Sequence, residues 1–291
     1  MFGRVITAMA TPFDRGGALD LARASALAEH LVGNGSDGLV LAGSTGESPT
    51  LSFEEKRDLF AAVTDAVGAR ADIIAGTGTY NTAESIHLSM MAAEQGVDGL
   101  LVVTPYYSRP PQTGLLAHFR AVAAATDLPI ILYDIPSRTA RKIEHETLLK
   151  LAEVPNIIGV KDAAGDLAGT ARLAAEKPDD FTIWSGDDAL TLPMLALGAH
   201  GVVSVASHLV GPRLQALVEA HTKGDVDLAA SINRELVPIF DVLFITSNPI
   251  PLKAALEMVG QPVGDPRLPL VPATEPERTK VRAVMQQLGL V

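Results

Sequence analysis

The sequence predicts an α/β fold, a (β/α)8 barrel with a helical C-terminal extension, on three observations. Eight short apolar runs alternate with amphipathic stretches of helical period. Three junctions repeat one pattern, Gly35-Ser36-Asp37-Gly38, Gly96-Val97-Asp98-Gly99 and Gly198-Ala199-His200-Gly201, each leading straight into an apolar run. After the eighth run the alternation stops. Glycine reaches the left-handed conformation that closes a helix, and an unbroken Val/Leu/Ile run is the mark of a strand covered on both faces.

The first strand is placed near 4–10, where Arg4 precedes Val5-Ile6-Thr7-Ala8-Met9-Ala10. That run imitates a signal peptide with its Ala-x-Ala ending, but it is too short for a secretory apolar region. Further strands are expected near 37–43, 71–76, 98–104, 129–134, 156–162, 181–185 and 200–206. Ser52 with Glu55 and Thr274 with Glu277 stand at capping-box spacing and start helices. An open doubly wound sheet is the competing arrangement, and eight units favour closure. The barrel is assigned to residues 1–222 and the helical extension to 223–291, broken at Asn248-Pro249-Ile250-Pro251 and by the Pro-rich 262–272 segment.

Composition narrows the function. Hydrophobic residues at 47% supply a large core, and the formal charge of −11, with no Lys/Arg cluster, argues against nucleic acid or an anionic membrane as partner. An anionic substrate would then need a few local cations and backbone N–H donors to reverse the field at its site. The absence of cysteine removes disulfides, thiolate metal sites and a cysteine nucleophile, and makes the cytoplasm the expected compartment. No run approaches the roughly 18 apolar residues of a membrane span.

Two motifs fail on inspection. Gly33-Asn34-Gly35-Ser36-Asp37-Gly38 matches a dinucleotide fingerprint, but it runs from helix into strand, the wrong order for helix N–H groups to face a phosphate. His30, His87, His118, His145, His200, His208 and His221 lack the spacing that puts two ligands on one helix face, so neither metal nor cofactor is expected.

Lys161 is different. It closes the run Asn156-Ile157-Ile158-Gly159-Val160 and therefore sits at the C-terminal end of the sixth strand, the catalytic face of such a barrel. Among apolar neighbours an ammonium loses solvation, which favours the neutral, nucleophilic amine; the plainer alternative is an ion pair with Asp162. Other polar groups fall just past strands on the same rim: Gly43-Ser44-Thr45-Gly46-Glu47-Ser48, Thr104-Pro105-Tyr106-Tyr107 and Tyr133. Their convergence favours a site.

The segments Gly43-Ser44-Thr45-Gly46-Glu47-Ser48, Val103-Thr104-Pro105-Tyr106-Tyr107, Tyr133-Asp134-Ile135-Pro136-Ser137-Arg138-Thr139, Gly159-Val160-Lys161-Asp162, Ser185-Gly186-Asp187-Asp188 and Asn248-Pro249-Ile250-Pro251 resemble the dihydrodipicolinate synthase family over nearly the whole chain. The resemblance implies a lyase in which Lys161 forms an imine with pyruvate and the derived enamine attacks aspartate semialdehyde, on the route to lysine and diaminopimelate. It implies that Tyr133, Ser44 and Tyr107 relay protons, and that Thr45 with the backbone N–H groups of the 44–45 turn holds the pyruvate carboxylate. Arg138 would clamp the second substrate's carboxylate. Gly186 and Val203 would approach through backbone atoms, with no room for a large side chain at 186.

The family usually carries Thr where this chain has Ser44, and a Ser-Thr pair is also typical of the N-acetylneuraminate lyase branch. Cleavage of N-acetylneuraminate or a 2-keto-3-deoxy sugar acid is therefore the alternative, and a noncatalytic barrel that binds a keto acid is the alternative of another class. The resemblance further implies a homotetramer built as a dimer of dimers, with Tyr107 completed across a subunit contact. Ser48, Tyr80, Glu84 and Tyr106 are the candidate allosteric residues. Inhibited relatives often have His at the positions of Phe53 and Lys56 and Asn at that of Tyr80, so weak or absent inhibition by lysine is expected. Asp187 and Asp188 are expected to cap the following helix rather than touch substrate.

Overall fold

A computed structural model describes residues 1–291. Eight parallel strands follow one another in chain order around a closed barrel: β1 (Val5–Ala8), β2 (Gly38–Leu41), β3 (Asp72–Gly76), β4 (Gly99–Val103), β5 (Ile130–Asp134), β6 (Ile157–Asp162), β7 (Thr182–Ser185) and β8 (Gly201–Ser204). The pairing of Ile6 with Val203 and Thr7 with Ser204 joins β1 to β8, which eliminates the open sheet. Every strand lies inside its expected segment. The helices are α1 (Leu21–Gly33), α2 (Phe53–Val67), α3 (Thr82–Glu94), α4 (Gln112–Ala123), α5 (Pro136–Thr139), α6 (His145–Ala152), α7 (Leu167–Glu176), α8 (Thr191–Ala196), α9 (Ser207–Thr222), α10 (Val226–Val242), α11 (Ile250–Met258) and α12 (Glu275–Gln287). Both capping boxes form, at Ser52/Glu55 and Thr274/Glu277. No helix is long and apolar enough to cross a membrane.

The repeated junction has two separate causes. Its first glycine, Gly35, Gly96 or Gly198, has φ of +90°, +75° or +97°, the left-handed turn out of a helix. Its second lacks room for a side chain: a Cβ on Gly38 would lie 2.9 Å from the Asp72 carbonyl oxygen, one on Gly99 against the Phe2 ring, and one on Gly201 against the Arg4 carbonyl. The chain must turn left-handed and then enter a crowded barrel floor, and glycine alone permits both.

Alternation along the strands divides the core. Phe2, Ile6, Ala8, Val40, Ile74, Leu101, Ile131, Tyr133, Trp184 and Val203 fill the barrel interior, while residues such as Val5, Leu39, Leu41, Ile73, Leu100 and Val102 pack outward under the helices. The β5–β6 ladder shifts register between Ile130 and Ile131, and beyond the shift Gly159 and Lys161 share the interior face with Ile131 and Tyr133. A slip of one residue exchanges the faces of a strand. Without it Lys161 would point at the helices.

Candidate active site

Lys161 stands opposite Tyr133 on one side and Trp184 on the other. It is only 5% exposed, its Nζ lies 4.2 Å from the centroid of the Tyr133 ring, and it enters none of the molecule's ion pairs. Asp162 is not its partner, since that carboxylate accepts from Ala164 N and Thr170 Oγ1. Beneath the lysine the fully buried Trp184 indole fills the space that Gly159 vacates, where a Cβ would sit 2.8 Å from the ring. The indole therefore closes the space below the amine.

Gly186 is sterically required at the same place. A Cβ there would lie 2.7 Å from Ala163 Cβ and 3.1 Å from Lys161 Cγ. Val203 is buried in the interior, across the β1–β8 ladder from Ile6.

The loop after β2 carries the hydroxyls. Ala42 and Glu47 bracket it with φ of +49° and +55°, both left-handed and neither glycine, a conformation that persists only where surroundings impose it. Between them the amides of Ser44 and Thr45 donate to no protein group, so two N–H donors stay free for an anion. Ser44 lines the mouth cavity, whereas the Thr45 hydroxyl is buried and accepts from Asn248 Nδ2 at 2.9 Å.

That cavity, of about 430 Å³, is continuous. Ser44, Tyr133 and Arg138 line one part; Ser48, Lys56, Tyr80, Glu84 and Tyr106 line another. Arg138, exposed on α5, is steadied by an Nη2 bond of 3.4 Å to the Asn248 carbonyl. Tyr80 and Tyr106 meet edge-to-face at 5.3 Å, and burial, then Tyr80 and Glu84, push the Tyr106 phenol up. Burial pulls the Lys56 ammonium down, against Glu84. Glu84 accepts from Thr79 Oγ1. Tyr107 is elsewhere: it is 92% exposed at φ +66° and does not line the cavity.

The expectation for the paired aspartates is corrected at one of them. Asp187 caps the short turn after it by accepting from Ala189 N. Asp188 caps nothing that follows it; buried in the chain, it accepts from Ser204 Oγ, Val205 N and Ala206 N and so holds the turn after β8, its carboxyl pushed up by burial. The outward side of β8 and α9 has polar ends to satisfy there, and Asp188 is the group within reach.

In the sequence Asn248 belongs to a helix break and to a segment that carries the family resemblance, with no contact assigned to it. In the sequence Glu47 is one residue of the hydroxyl loop, and nothing singles out Lys253. The structure buries both and joins them at 2.6 Å.

A closed eight-stranded barrel with a desolvated, unpaired lysine beside a phenol at its C-terminal mouth has the makings of a covalent carbonyl-handling barrel. Comparison with known proteins narrows this. The chain belongs to the dihydrodipicolinate synthetase family, whose model matches residues 1–288. It is 56% identical over 290 residues to the 4-hydroxy-tetrahydrodipicolinate synthase of Moorella thermoacetica, covering 100% of this chain and 99% of the relative. It is 53% identical over 291 residues to the enzyme of that name from Thermosynechococcus vestitus, covering 100% and 98%. Among solved structures it is similar to the dihydrodipicolinate synthase of Cyanidioschyzon merolae with lysine bound, at 47% identity and a TM-score of 0.98, covering 100% of this chain and 99% of that one.

Proposed function

We propose that this chain is a lyase that condenses pyruvate with L-aspartate 4-semialdehyde to 4-hydroxy-tetrahydrodipicolinate, the lysine and diaminopimelate route, through an imine on Lys161. The observation that carries the reading is the burial of the Lys161 amine without a counter-charge, against Tyr133 and above Trp184. The names of full-length relatives support the synthase over the aldolase and keto-acid-binding alternatives.

The Lys161 nitrogen adds to the ketone carbon of pyruvate and water leaves, giving an imine. The electron-poor imine lets the methyl group lose a proton and become an enamine. The enamine carbon bonds to the aldehyde carbon of the second substrate, whose oxygen takes a proton and becomes the hydroxyl. The substrate's own amine then attacks the imine carbon, closes the ring and expels the Lys161 amine.

Each proton movement needs a relay near the amine. Tyr133 is in contact with it and Ser44 lines the same cavity as Tyr133; Tyr107 completes the relay from the partner subunit of a homotetramer, a dimer of dimers, which its exposure at φ +66° supports. The free amides of Ser44 and Thr45 hold the pyruvate carboxylate, with the Thr45 hydroxyl fixing the turn. The planar guanidinium of Arg138 takes the carboxylate of the semialdehyde. Gly186 and Val203 present backbone to the reacting carbons. Residues 1–222 supply the chemistry and 223–291 the brace behind it, in a cytoplasmic enzyme that needs no cofactor.

Ser48, Tyr80, Glu84 and Tyr106 form the regulatory end of the cavity, where inhibition by lysine is weak, the reading that Phe53, Lys56 and Tyr80 support in place of the His, His and Asn of inhibited relatives. A sub-millimolar inhibition constant for L-lysine would overturn that. The central test is borohydride reduction in the presence of pyruvate, followed by peptide mapping. Irreversible inactivation with a reduced pyruvate adduct on the Lys161 peptide is expected; an unmodified Lys161 sinks the mechanism.

A further inference from the structure

The loop that offers Ser44 and Thr45 to the cavity is held almost wholly from outside the barrel sheet. Glu47 turns its carboxylate inward: Oε1 lies 2.6 Å from Lys253 Nζ on α11, with both side chains buried, and Oε2 accepts from Arg267 N at 2.8 Å. Arg267 also donates to the Thr50 and Gly17 carbonyls and pairs with Glu55. Both cations stack on the Phe13 ring, at 4.4 Å for Lys253 and 4.2 Å for Arg267. Thr11 Oγ1 fastens the Gly46 carbonyl at 2.7 Å, and Asn248 Nδ2 fastens Thr45. Residues 45, 46, 47 and 50 are thus gripped, and the amides of Ser44 and Thr45 are left free.

A fully buried ion pair is seldom more stabilising than well-packed apolar residues of the same volume. What it does supply is direction. Glu47 at φ +55° is the hinge of the loop, and fixing its carboxylate fixes the orientation of the two free amides one turn earlier. We propose that the Glu47–Lys253 pair is a positioning device for the keto-acid carboxylate, through which the C-terminal extension sets pyruvate affinity without touching the substrate. Glu47 and Lys253 are positioning residues, and the inference rests on the function proposed above.

The variant that separates positioning from stability is the double substitution Glu47→Gln with Lys253→Met, which leaves no uncompensated buried charge. The KM for pyruvate is expected to rise about tenfold and that for the semialdehyde to stay within about twofold, the pattern of lost ground-state positioning. Hydrogen exchange at the amides of residues 43–48 is expected to quicken about tenfold while the barrel strands keep their protection. Wild-type pyruvate KM with wild-type exchange in the double variant overturns the proposal. Should that variant fail to fold, Glu47→Gln alone decides, since its amide oxygen still accepts from Arg267 N while the charge that pairs with Lys253 is gone; a pyruvate KM raised about threefold supports positioning, and an unchanged one refutes it. If the unaltered chain forms no borohydride-trapped adduct at Lys161, the reading of function itself has failed. An adduct in the unaltered chain with an unaffected double variant condemns the brace alone.

Discussion

The two ends of the barrel solve the same geometric problem in opposite ways. At the N-terminal end the chain turns left-handed at Gly35, Gly96 and Gly198, Phe2 plugs the floor, and the Trp184 indole donates to the Gly3 carbonyl. Carboxylates there are spent on backbone: Asp37 accepts from Arg4 N and Val5 N, Asp72 from Gly3 N and Asp98 from Ile73 N. At the C-terminal end lie all five non-glycine residues with positive φ, Ala42, Glu47, Tyr107 and Arg109 in loops after strands and Ala140 at the end of α5. There an amine stands without a counter-charge and two amides without acceptors. The floor relieves strain and satisfies polar groups, while the mouth keeps both unrelieved, as a binding site requires.

The largest test of that contrast is Lys161→Ala. Condensation should fall by roughly a thousandfold or more, while the melting temperature stays level or rises, because a buried amine is removed and no ion pair is broken. A variant that melts well below the parent would make Lys161 a structural residue and erase the distinction between the ends.

A smaller, paired test uses one methyl group at each end. Gly99→Ala drives a Cβ into the Phe2 ring and the Pro129 carbonyl, and should cost about 1–3 kcal/mol of stability with kcat/KM of the folded enzyme unchanged. Gly186→Ala presses on Ala163 and Lys161, and should slow pyruvate adduct formation about tenfold, through a sub-ångström displacement of the amine. Denaturant midpoints and single-turnover trapping measure the two. Equal losses of stability with equal losses of rate would show that the ends are not separable.

What the sequence made legible follows from the range of each cause. The strands could be read because burial on both faces writes a local apolar run, and the Gly-x-x-Gly junctions because turn and crowding act on residues three apart. Lys161 and Tyr133 could be read because a strand end fixes which rim a side chain occupies. The register shift at Ile130 that turns Lys161 inward left no signal, since any short apolar strand tolerates either phase. Glu47 with Lys253, and Thr45 with Asn248, lie more than 200 residues apart in contacts that no spacing rule reaches. Asp188 was misread for the same reason: its partners are on the next strand's turn, not on its own.

The finest test concerns a carboxyl on the outward side of the mouth. Asp134 follows Tyr133 and stands opposite Asp162 across the β5–β6 ladder. Burial first, then Asp162, push it up to about 7, although it accepts from Ile143 N. Because this folded value lies above the ordinary carboxylate value of 3.8, the folded chain binds the extra proton between the two. The group's contribution is most favourable below pH 3.8, is lost as pH rises towards 7, and is level above it. Asp134→Asn keeps an acceptor for Ile143 N and cannot ionise, so the variant should match the parent near pH 4 and gain on it steadily up to about pH 7, then hold a constant advantage of a few degrees in melting temperature. A variant whose melting curve tracks the parent at every pH would mean that the mouth's outer shell is as fully satisfied as the floor, and the contrast would then be confined to the cavity itself.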